Sequence, residues 1–454
     1  MDRSWYDNEV KRQLADTNTY RPVSLSDIPT KAIYDSIVEL ARKANLSNLI
    51  SGQAYLFLRD KVTPKTAVIP QLYIIPKVHK QPLKGRPIIP GHSWITTPAS
   101  ILIDHFLQPL LRRTPTVLAD SKSLLIDLNT KTFPDTTCRL ITADVSSLYT
   151  EIDLNKGLAF VKALMRENPD LYPPALQSLL SDFLSLVMRN NFFHFNGEYY
   201  HQIKGTAMGT PSAPIFANVF MFILERHILG RFKDSIFYYK RYLDDIFIVT
   251  NADAAERIKS SMQVMERHIK LEFQDSLSTA TFLDLVFFKG PRYEKERILD
   301  SKVYQKPLNA YLYIPFSSYH TLNTKKGFIV TELQRYVRNS TSLKDYLEVK
   351  EAFWFRLRTR GYPPAFLTQA FSKVWFRDRN KFLAPSIRKP RDERDVFFTT
   401  EYNPLSSALS LTSLVKQGAP GHLKPRIGYK SSSNLSNILC QNKSMQGVPS
   451  TPRP

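Results

Sequence analysis

Residues 238 to 249 read YYKRYLDDIFIV, setting Asp244 and Asp245 side by side between two runs of tyrosine, isoleucine, phenylalanine and valine. A second apolar run, LITADV, ends on another carboxylate, Asp144. A hairpin with Asp244-Asp245 at its turn would present both side chains at one end of a sheet, with the apolar flanks packed beneath. Adjacent anions near a third raise one another's pKa and oppose ionisation unless a cation neutralises them. Hard oxygen ligands of this kind suit Mg²⁺ or Mn²⁺. Two such ions, roughly 4 Å apart, clamp the attacking and leaving oxygens of an in-line phosphoryl transfer. A Leu-Asp-Asp turn alone is more often an ordinary polar hairpin tip, so its weight here depends on its company along the chain.

That company has a definite order. The first residues, to about 70, read as polar and mostly helical, with Ser26 or Asp27 as an N-cap before IPTKAIYDSIVELARKA. TAVIPQLYIIPKVHKQPLKGRPIIPG then changes to short β-rich runs cut by proline and glycine and rich in cations. CRLITADVSSLY follows as a buried strand, then helices near 154–167 and 174–190 and a hairpin signalled by Asn196-Gly197 between aromatic arms. GTAMGTPSAPIFANVFMFILERHIL reads as a loop opening into a helix, because Pro211 and Pro214 suit a first turn. DAAERIKSSMQVMERHI is another helix, and KLEFQDSLSTATFLDLVFFKG and RILDSKVYQKP read as strands. Beyond Pro307 the pattern turns helical, with one helix ended by Gly361 and another running from Pro363-Pro364 through Trp375. After about residue 385 serine, proline and lysine dominate, and QNKSMQGVPSTPRP has the composition of a disordered tail.

The totals bound the class. The 454 residues carry 62 Lys+Arg against 41 Asp+Glu, a net charge of +21 that favours a polyanionic partner. The length suggests about three domains, and 43% hydrophobic residues can fill real cores. Two cysteines exclude a disulfide framework and a cysteine-rich zinc site. The start lacks the apolar core of a signal peptide, and no run of about 18 apolar residues announces a membrane span. The expectation is a soluble protein of nucleus or cytoplasm with no membrane partner. Oligomeric state is not legible.

Taken in order, these motifs resemble reverse transcriptases, and among them the enzymes of Penelope-like retroelements. The resemblance covers about residues 68 to 385, with weaker echoes to 440. IIPKVHK and GRPIIPG are similar to fingers motifs, ADVSSLYT to the first palm motif, GTAMGTPSAPIFANVFM to the second and RYLDD to the third. FLDLVF and KVYQKPLNAYLYIPFSSYH resemble stretches that follow in this element family. The resemblance implies an α+β right-hand polymerase with an antiparallel-sheet, ferredoxin-like palm, α/β fingers and a helical thumb. Its parts would be an N-terminal helical extension at 1–67, fingers at 68–138, palm at 139–300 with a helical insertion at about 154–200, thumb at 301–385, and a connector and disordered tail at 386–454.

The resemblance also implies roles. Asp144, Asp244 and Asp245 would be catalytic and hold two Mg²⁺ ions, or Mn²⁺, with the Val145 carbonyl as a further ligand. Tyr149 would be a steric gate against a ribose 2′-OH, the alternative being a half-buried core aromatic. Lys77 and Arg86 would hold the incoming deoxynucleoside triphosphate. Gly209 would admit nucleotide and template close to the backbone, or simply shape a helix-entry turn. Lys80, Lys84, Lys325, Lys326, Arg335 and Arg338 would contact an RNA template and DNA primer, although loop lysines are commonly solvated surface charge. In the thumb, Phe353, Trp354, Phe355, Trp375 and Phe376 read better as core than as stacking platforms. Lys270, read as a helix end, is the nearest candidate for a proton donor to pyrophosphate, and Asp284 reads as structural.

Two positions depart from the family pattern. Met208 and Ala213 stand where many reverse transcriptases carry Gln and Ser, which bears on hydrogen bonding near the template base. RIGYKSSSNLSNILC resembles the connector before a GIY-YIG endonuclease, and no such domain follows before Pro454, so cleavage in cis is not expected. Alternatives are a catalytically silent, domesticated nucleic-acid-binding protein and an RNA-dependent RNA polymerase, the latter disfavoured by Tyr149.

Overall fold

Valine, isoleucine and phenylalanine crowd the stretches around Asp144 and Asp244, and both stretches are strands of one antiparallel sheet. The computed structural model describes residues 2–77, 82–134, 137–384, 395–401 and 424–430. The chain divides into two compact units, Met1–Leu308 and Asn309–Pro454. In chain order the strands of the first unit are β1 (Tyr20–Val23), β2 (Tyr73–Lys77), β3 (Lys84–Ile88), β4 (Arg139–Ser146), β5 (Asn191–Phe195), β6 (Glu198–Gln202), β7 (Ile236–Tyr242), β8 (Asp245–Thr250), β9 (Lys270–Ser276), β10 (Thr279–Phe282), β11 (Leu285–Phe288) and β12 (Asp300–Val303).

The central sheet has the order β7-β8-β4-β9. Because side chains alternate along a strand, each strand offers one set to each face. Ile141, Ala143 and Val145 of β4, Ile246 and Ile248 of β8 and Leu271 of β9 share a buried core with Val161 of the helix Leu154–Arg166 and with Phe216, Val219 and Phe220 of the helix Ala213–Arg231. On the opposite face Phe247 stacks on Phe287, with ring centroids 5.3 Å apart, and lies 5.6 Å from Phe282, so the smaller sheet β10-β11-β12 covers that side. Each such fully buried side chain is worth about 1.5–3 kcal/mol. The sheet is therefore held from both faces, leaving its β7–β8 turn end to carry the polar residues.

The helix Ala213–Arg231 is long and apolar enough to cross a membrane by length and composition, although the sequence reading found no such segment. Its residues from Ile215 to Glu225 are buried inside the first unit, and a helix surrounded by core is apolar all round.

The N-terminal stretch, read as a helical extension, contributes helices and one strand that pack within the first unit. β1 pairs with β6, which pairs with β5 through the Asn196-Gly197 turn, both turn residues having positive φ. The helix Arg3–Leu14 lies against the β2–β3 hairpin: the Ile74 N–H donates to the Tyr6 hydroxyl at 3.0 Å, and the Gly85 N–H to the buried Glu9 carboxylate at 2.9 Å. The helix Thr30–Leu46 gives Ile33, Ile37, Ala41 and Ala44 to the main core. Its N-cap is Pro29, not Ser26 or Asp27, which fall in a short 3-10 turn. The helices expected near 154–167 and 174–190 run Leu154–Arg166 and Pro174–Arg189. The helix after Asp253 ends at Gln263, so Lys270 opens strand β9 instead of closing a helix.

The second unit contains the helices Leu322–Asn339, Leu343–Thr359, Pro364–Phe371 and Arg379–Leu383. Gly361, at φ +83, ends the second of these as expected, whereas the third stops at Phe371, short of Trp375. Phe353 is fully buried and meets Tyr313, Tyr336 and Phe371 with centroids 5.1 to 5.8 Å apart, and Trp354 packs edge-on against Phe371. Those aromatics are core; Phe355 and Trp375 are exposed. β13 (Asp395–Glu401) and β14 (Lys424–Lys430) pair in parallel within the stretch read as connector and disordered tail. The closing QNKSMQGVPSTPRP lies outside the described residues.

Candidate active site

The register of the central sheet sets a row of polar side chains on one face. Tyr242 on β7 stands opposite Asp245 on β8, Asp245 opposite Asp144 on β4, and Asp144 opposite Glu272 on β9. Directly opposed residues have Cβ atoms about 4.5–5.5 Å apart, so Asp144 has a carboxylate neighbour on either side. Asp244 lies in the two-residue loop that joins β7 to β8, and its carbonyl accepts the Val145 N–H at 3.0 Å. The three aspartates, one of them a hundred residues before the adjacent pair, thus meet at one end of the sheet. The sequence reading missed Glu272; the available signal was the alternation of KLEFQDS.

The loop itself is unusual. Leu243 has φ +54, a left-handed conformation usually given to glycine or asparagine at a cost of about 1–3 kcal/mol for other residues. Directly behind it Arg241, fully buried, donates to the Leu243 carbonyl at 2.9 Å. The same guanidinium is bonded to buried Glu225 and to the Asn218 side-chain oxygen at 2.7 Å. Burial pushes the Glu225 carboxyl up, and the Arg241 charge opposes that rise.

The carboxylates feel each other. Asp245 is pushed up to about 6, first by burial and then by the charges of Asp244 and Asp144, with Lys306 and Arg86 partly opposing. Among the described residues no three His, Cys, Asp or Glu side chains form a ready-made metal cage. Mg²⁺ is commonly held by one or two carboxylates together with waters and substrate phosphates. The donor set fits such an ion: hard oxygens whose mutual repulsion a dication relieves.

Tyr149, on the short helix Leu148–Glu151, is half-buried against the main core, and burial and the Asp244 charge push its hydroxyl up to about 12 while Arg86 opposes. It is therefore both a flank of the core and a neighbour of the acid cluster. Its carbonyl accepts the Thr206 N–H at 2.7 Å. Gly205, at φ +69, allows this: a Cβ there would stand 2.3 Å from the Tyr149 carbonyl oxygen. Gly209 is the counterpart on the other side of the same loop. With φ +129 and a would-be Cβ 2.3 Å from the Ile89 carbonyl oxygen, its bareness is used against the chain's own backbone. The Met208 carbonyl accepts the Ile89 N–H at 2.8 Å, so the loop joins the Tyr149 turn to the segment just after β3. Ala213 is fully buried at the first turn of its helix; the neighbouring Ser212 hydroxyl bonds to that of Ser100 at 2.8 Å.

On the β2–β3 hairpin Arg86 is exposed opposite Ile75, and half-buried Lys77 stands opposite exposed Lys84. Arg86 is the one whose charge reaches both Tyr149 and Asp245. Lys80 lies outside the described residues. Lys270 stands opposite Ser146 on the same face as Asp144 and Glu272, one pleat nearer the sheet's end. Asp284 sits in the β10–β11 turn, where its carbonyl accepts the Tyr304 N–H.

The expected phosphate contacts of the second unit fare differently. Lys325 is buried and its ammonium donates to the Phe316 and Ser318 carbonyls at 2.6 and 2.7 Å, so it is a helix anchor and not a surface cation. Arg335 is paired with Glu332 at 2.6 Å, and Arg338 is half-buried beside Asn339. Arg358 and Arg360 donate to the Tyr362 and Tyr313 carbonyls. Lys326 donates to Gln369 and feels the charge of Lys373.

An antiparallel sheet backed by helices, with an acidic row at its turn end, defines an α+β polymerase-like fold. Superposition on telomerase from Candida albicans in complex with a fragment of telomeric RNA covers 84% of this chain and 61% of that one, with a TM-score of 0.51 and 11% identity. This chain thus spans less than two thirds of that protein. The RNA-dependent RNA polymerase of a human picorbirnavirus matches over 82% of each chain, with a TM-score of 0.46 and 12% identity. In sequence, residues 94–276 match the family reverse transcriptase (RNA-dependent DNA polymerase). No curated protein matches the chain.

Proposed function

We propose that this protein is an RNA-directed DNA polymerase, the reverse transcriptase of a Penelope-like retroelement, which extends a DNA primer 3′-OH along an RNA template. The observation that carries the reading is the convergence of Asp144, Asp244 and Asp245 at one end of the central sheet, inside the stretch that matches the reverse transcriptase family. The Penelope-like assignment rests on the order and wording of RYLDD, FLDLVF and KVYQKPLNAYLYIPFSSYH.

In this reading the fingers include the β2–β3 hairpin, the palm is the central sheet with its helices, and the helical second unit is the thumb. Asp144 and Asp244, with the Val145 carbonyl, would hold two Mg²⁺ ions, and Asp245 would tune their charge. When bound, those ions supply Lewis acidity to the primer hydroxyl and the departing pyrophosphate. Arg86 and Lys77 orient the triphosphate, the arginine as a bidentate clamp. Tyr149 closes the space a ribose 2′-OH would need. Lys270 is the candidate to protonate pyrophosphate, since its ammonium shares the face of the acid row.

Purified protein given Mg²⁺, an RNA template, an annealed DNA primer and deoxynucleotides should extend the primer, and the Asp244→Ala protein should not. A wild type that binds primer–template yet extends nothing across salt, Mg²⁺ and Mn²⁺ would assign it instead to the silent, binding-only class.

A further inference from the structure

Arg241 and Glu225 form an ion pair at 0% and 1% exposure in the middle of the first unit. Taking two charges out of water is costly, and apolar residues of similar volume commonly hold a core as well or better. What the pair does beyond packing is visible in its other bonds. The guanidinium donates to the Asn218 side-chain oxygen at 2.7 Å, to the Asn218 carbonyl at 3.0 Å and to the Leu243 carbonyl at 2.9 Å. Asn218 and Glu225 are two helical turns apart on the helix Ala213–Arg231, so one rigid face of that helix grips one side chain. The Arg241 backbone is held as well, its N–H donating to the Thr116 carbonyl and its carbonyl accepting the Leu118 N–H, both at 2.8 Å. Thr116 also donates to Glu225 at 3.4 Å.

The one bond in this network that leaves the core goes to Leu243. That residue is in the left-handed region without being glycine, and the residue after it is Asp244. A leucine that would relax to an extended conformation is kept in place by a charge-assisted bond to its carbonyl. Relaxation would swing Asp244 away from Val145, to which its own carbonyl is bonded, and so away from Asp144.

We propose that Arg241, locked by Glu225 and Asn218, is a positioning residue that holds Leu243 in its left-handed conformation and thereby aims Asp244 at Asp144. The proposal deepens the polymerase reading and rests on it for the catalytic consequence, whereas the geometric consequence stands apart from activity.

The test compares wild type with Arg241→Met/Glu225→Met, which removes both charges, and with Arg241→Lys, which keeps a charge but lacks the planar fork. Melting temperature and circular dichroism establish which variants are folded. Folded variants should bind primer–template with wild-type affinity and keep the KM for deoxynucleotide. They should lose kcat by about 10–100-fold and need more Mg²⁺ for half-maximal extension, the scale on which groups behind metal ligands act. Adding Leu243→Gly should recover part of the loss, because glycine adopts the conformation without help. Independently, the Val145 amide, which bonds to Asp244, should exchange with solvent at least about tenfold faster in the variants. Wild-type kcat and Mg²⁺ dependence in a folded double variant would overturn the proposal, and so would an unchanged Val145 exchange rate. If wild type itself extends no primer, the polymerase reading fails, and the exchange rate alone decides whether Arg241 holds the turn.

Discussion

Replacing Asp245 by asparagine removes a charge from a site where three carboxylates crowd one end of a sheet. In the folded protein the Asp245 carboxyl rises from 3.8 to about 6, through burial first and the charges of Asp244 and Asp144 second. A rise of about two units corresponds to about 3 kcal/mol. For a half-buried side chain, screening by solvent reduces this to about 1–1.5 kcal/mol. Because the folded value lies above the unfolded one, the folded state retains the proton longer. No penalty exists below about pH 4, where the carboxyl is protonated in both states; it grows as pH rises from about 4 to about 6 and stays at its full size above that. Without divalent ions, Asp245→Asn should therefore melt about 1.5–2.5 °C above wild type at pH 8 and close to it at pH 4. Mg²⁺ at millimolar concentration should raise the wild-type melting temperature at pH 8 and narrow the gap, because the dication relieves the repulsion. Thermal melts followed by circular dichroism at pH 4, 6 and 8, with and without Mg²⁺, provide the readout. A variant no more stable than wild type at pH 8, or a gap unaffected by pH, would refute the claim that the three charges share one site.

Three further outcomes follow from the contacts around that site. Tyr149→Ala should raise ribonucleotide relative to deoxynucleotide incorporation by at least about tenfold, the scale of one steric contact, measured as a ratio of kcat/KM; an unchanged ratio would make Tyr149 a core aromatic only. Gly205→Ala would put a Cβ 2.3 Å from the Tyr149 carbonyl oxygen and should cost about 2–4 kcal/mol in a denaturant titration, while a near-neutral result would mean the loop moves without strain. Glu9→Ala should leave the Gly85 N–H without its carboxylate acceptor, cost about 1–3 kcal/mol, and open the β2–β3 hairpin to limited proteolysis. In wild type the Arg12 guanidinium holds the Glu9 carboxyl down at about 2, so that contribution is present above about pH 4.5 and lost as pH falls towards 2.

Much of the site was readable because its signals are local. LITADV and DIFIVT run apolar as buried strands do, and the paired aspartates mark the turn, so the strands and their carboxylates were legible; the register that sets Asp144 opposite Asp245 comes from the pairing itself. The Asn196-Gly197 hairpin and the proline-opened helix Ala213–Arg231 were legible for the same reason. What escaped depends on partners remote in sequence. β1 is a strand only because β6, some 180 residues later, supplies its ladder. Lys325 looked like any exposed helix cation, and only the carbonyls of Phe316 and Ser318 make it an internal anchor. Gly209 pointed to a close approach, but its contact is the Ile89–Pro90 backbone. Arg241 carried no signal of its own burial, because a cation next to Lys240 in a strand is ordinarily solvated; its acceptors, Glu225 and Asn218, lie on another element.

The most direct measurement is single-turnover incorporation of one deoxynucleotide onto a primer annealed to RNA, at saturating Mg²⁺ and nucleotide, by wild type, Asp144→Asn and Asp244→Asn. Each substitution should slow the step by at least about a thousandfold, roughly 4 kcal/mol of transition-state stabilisation, with primer–template affinity unchanged. Incorporation by either variant within tenfold of an active wild type would contradict the shared site.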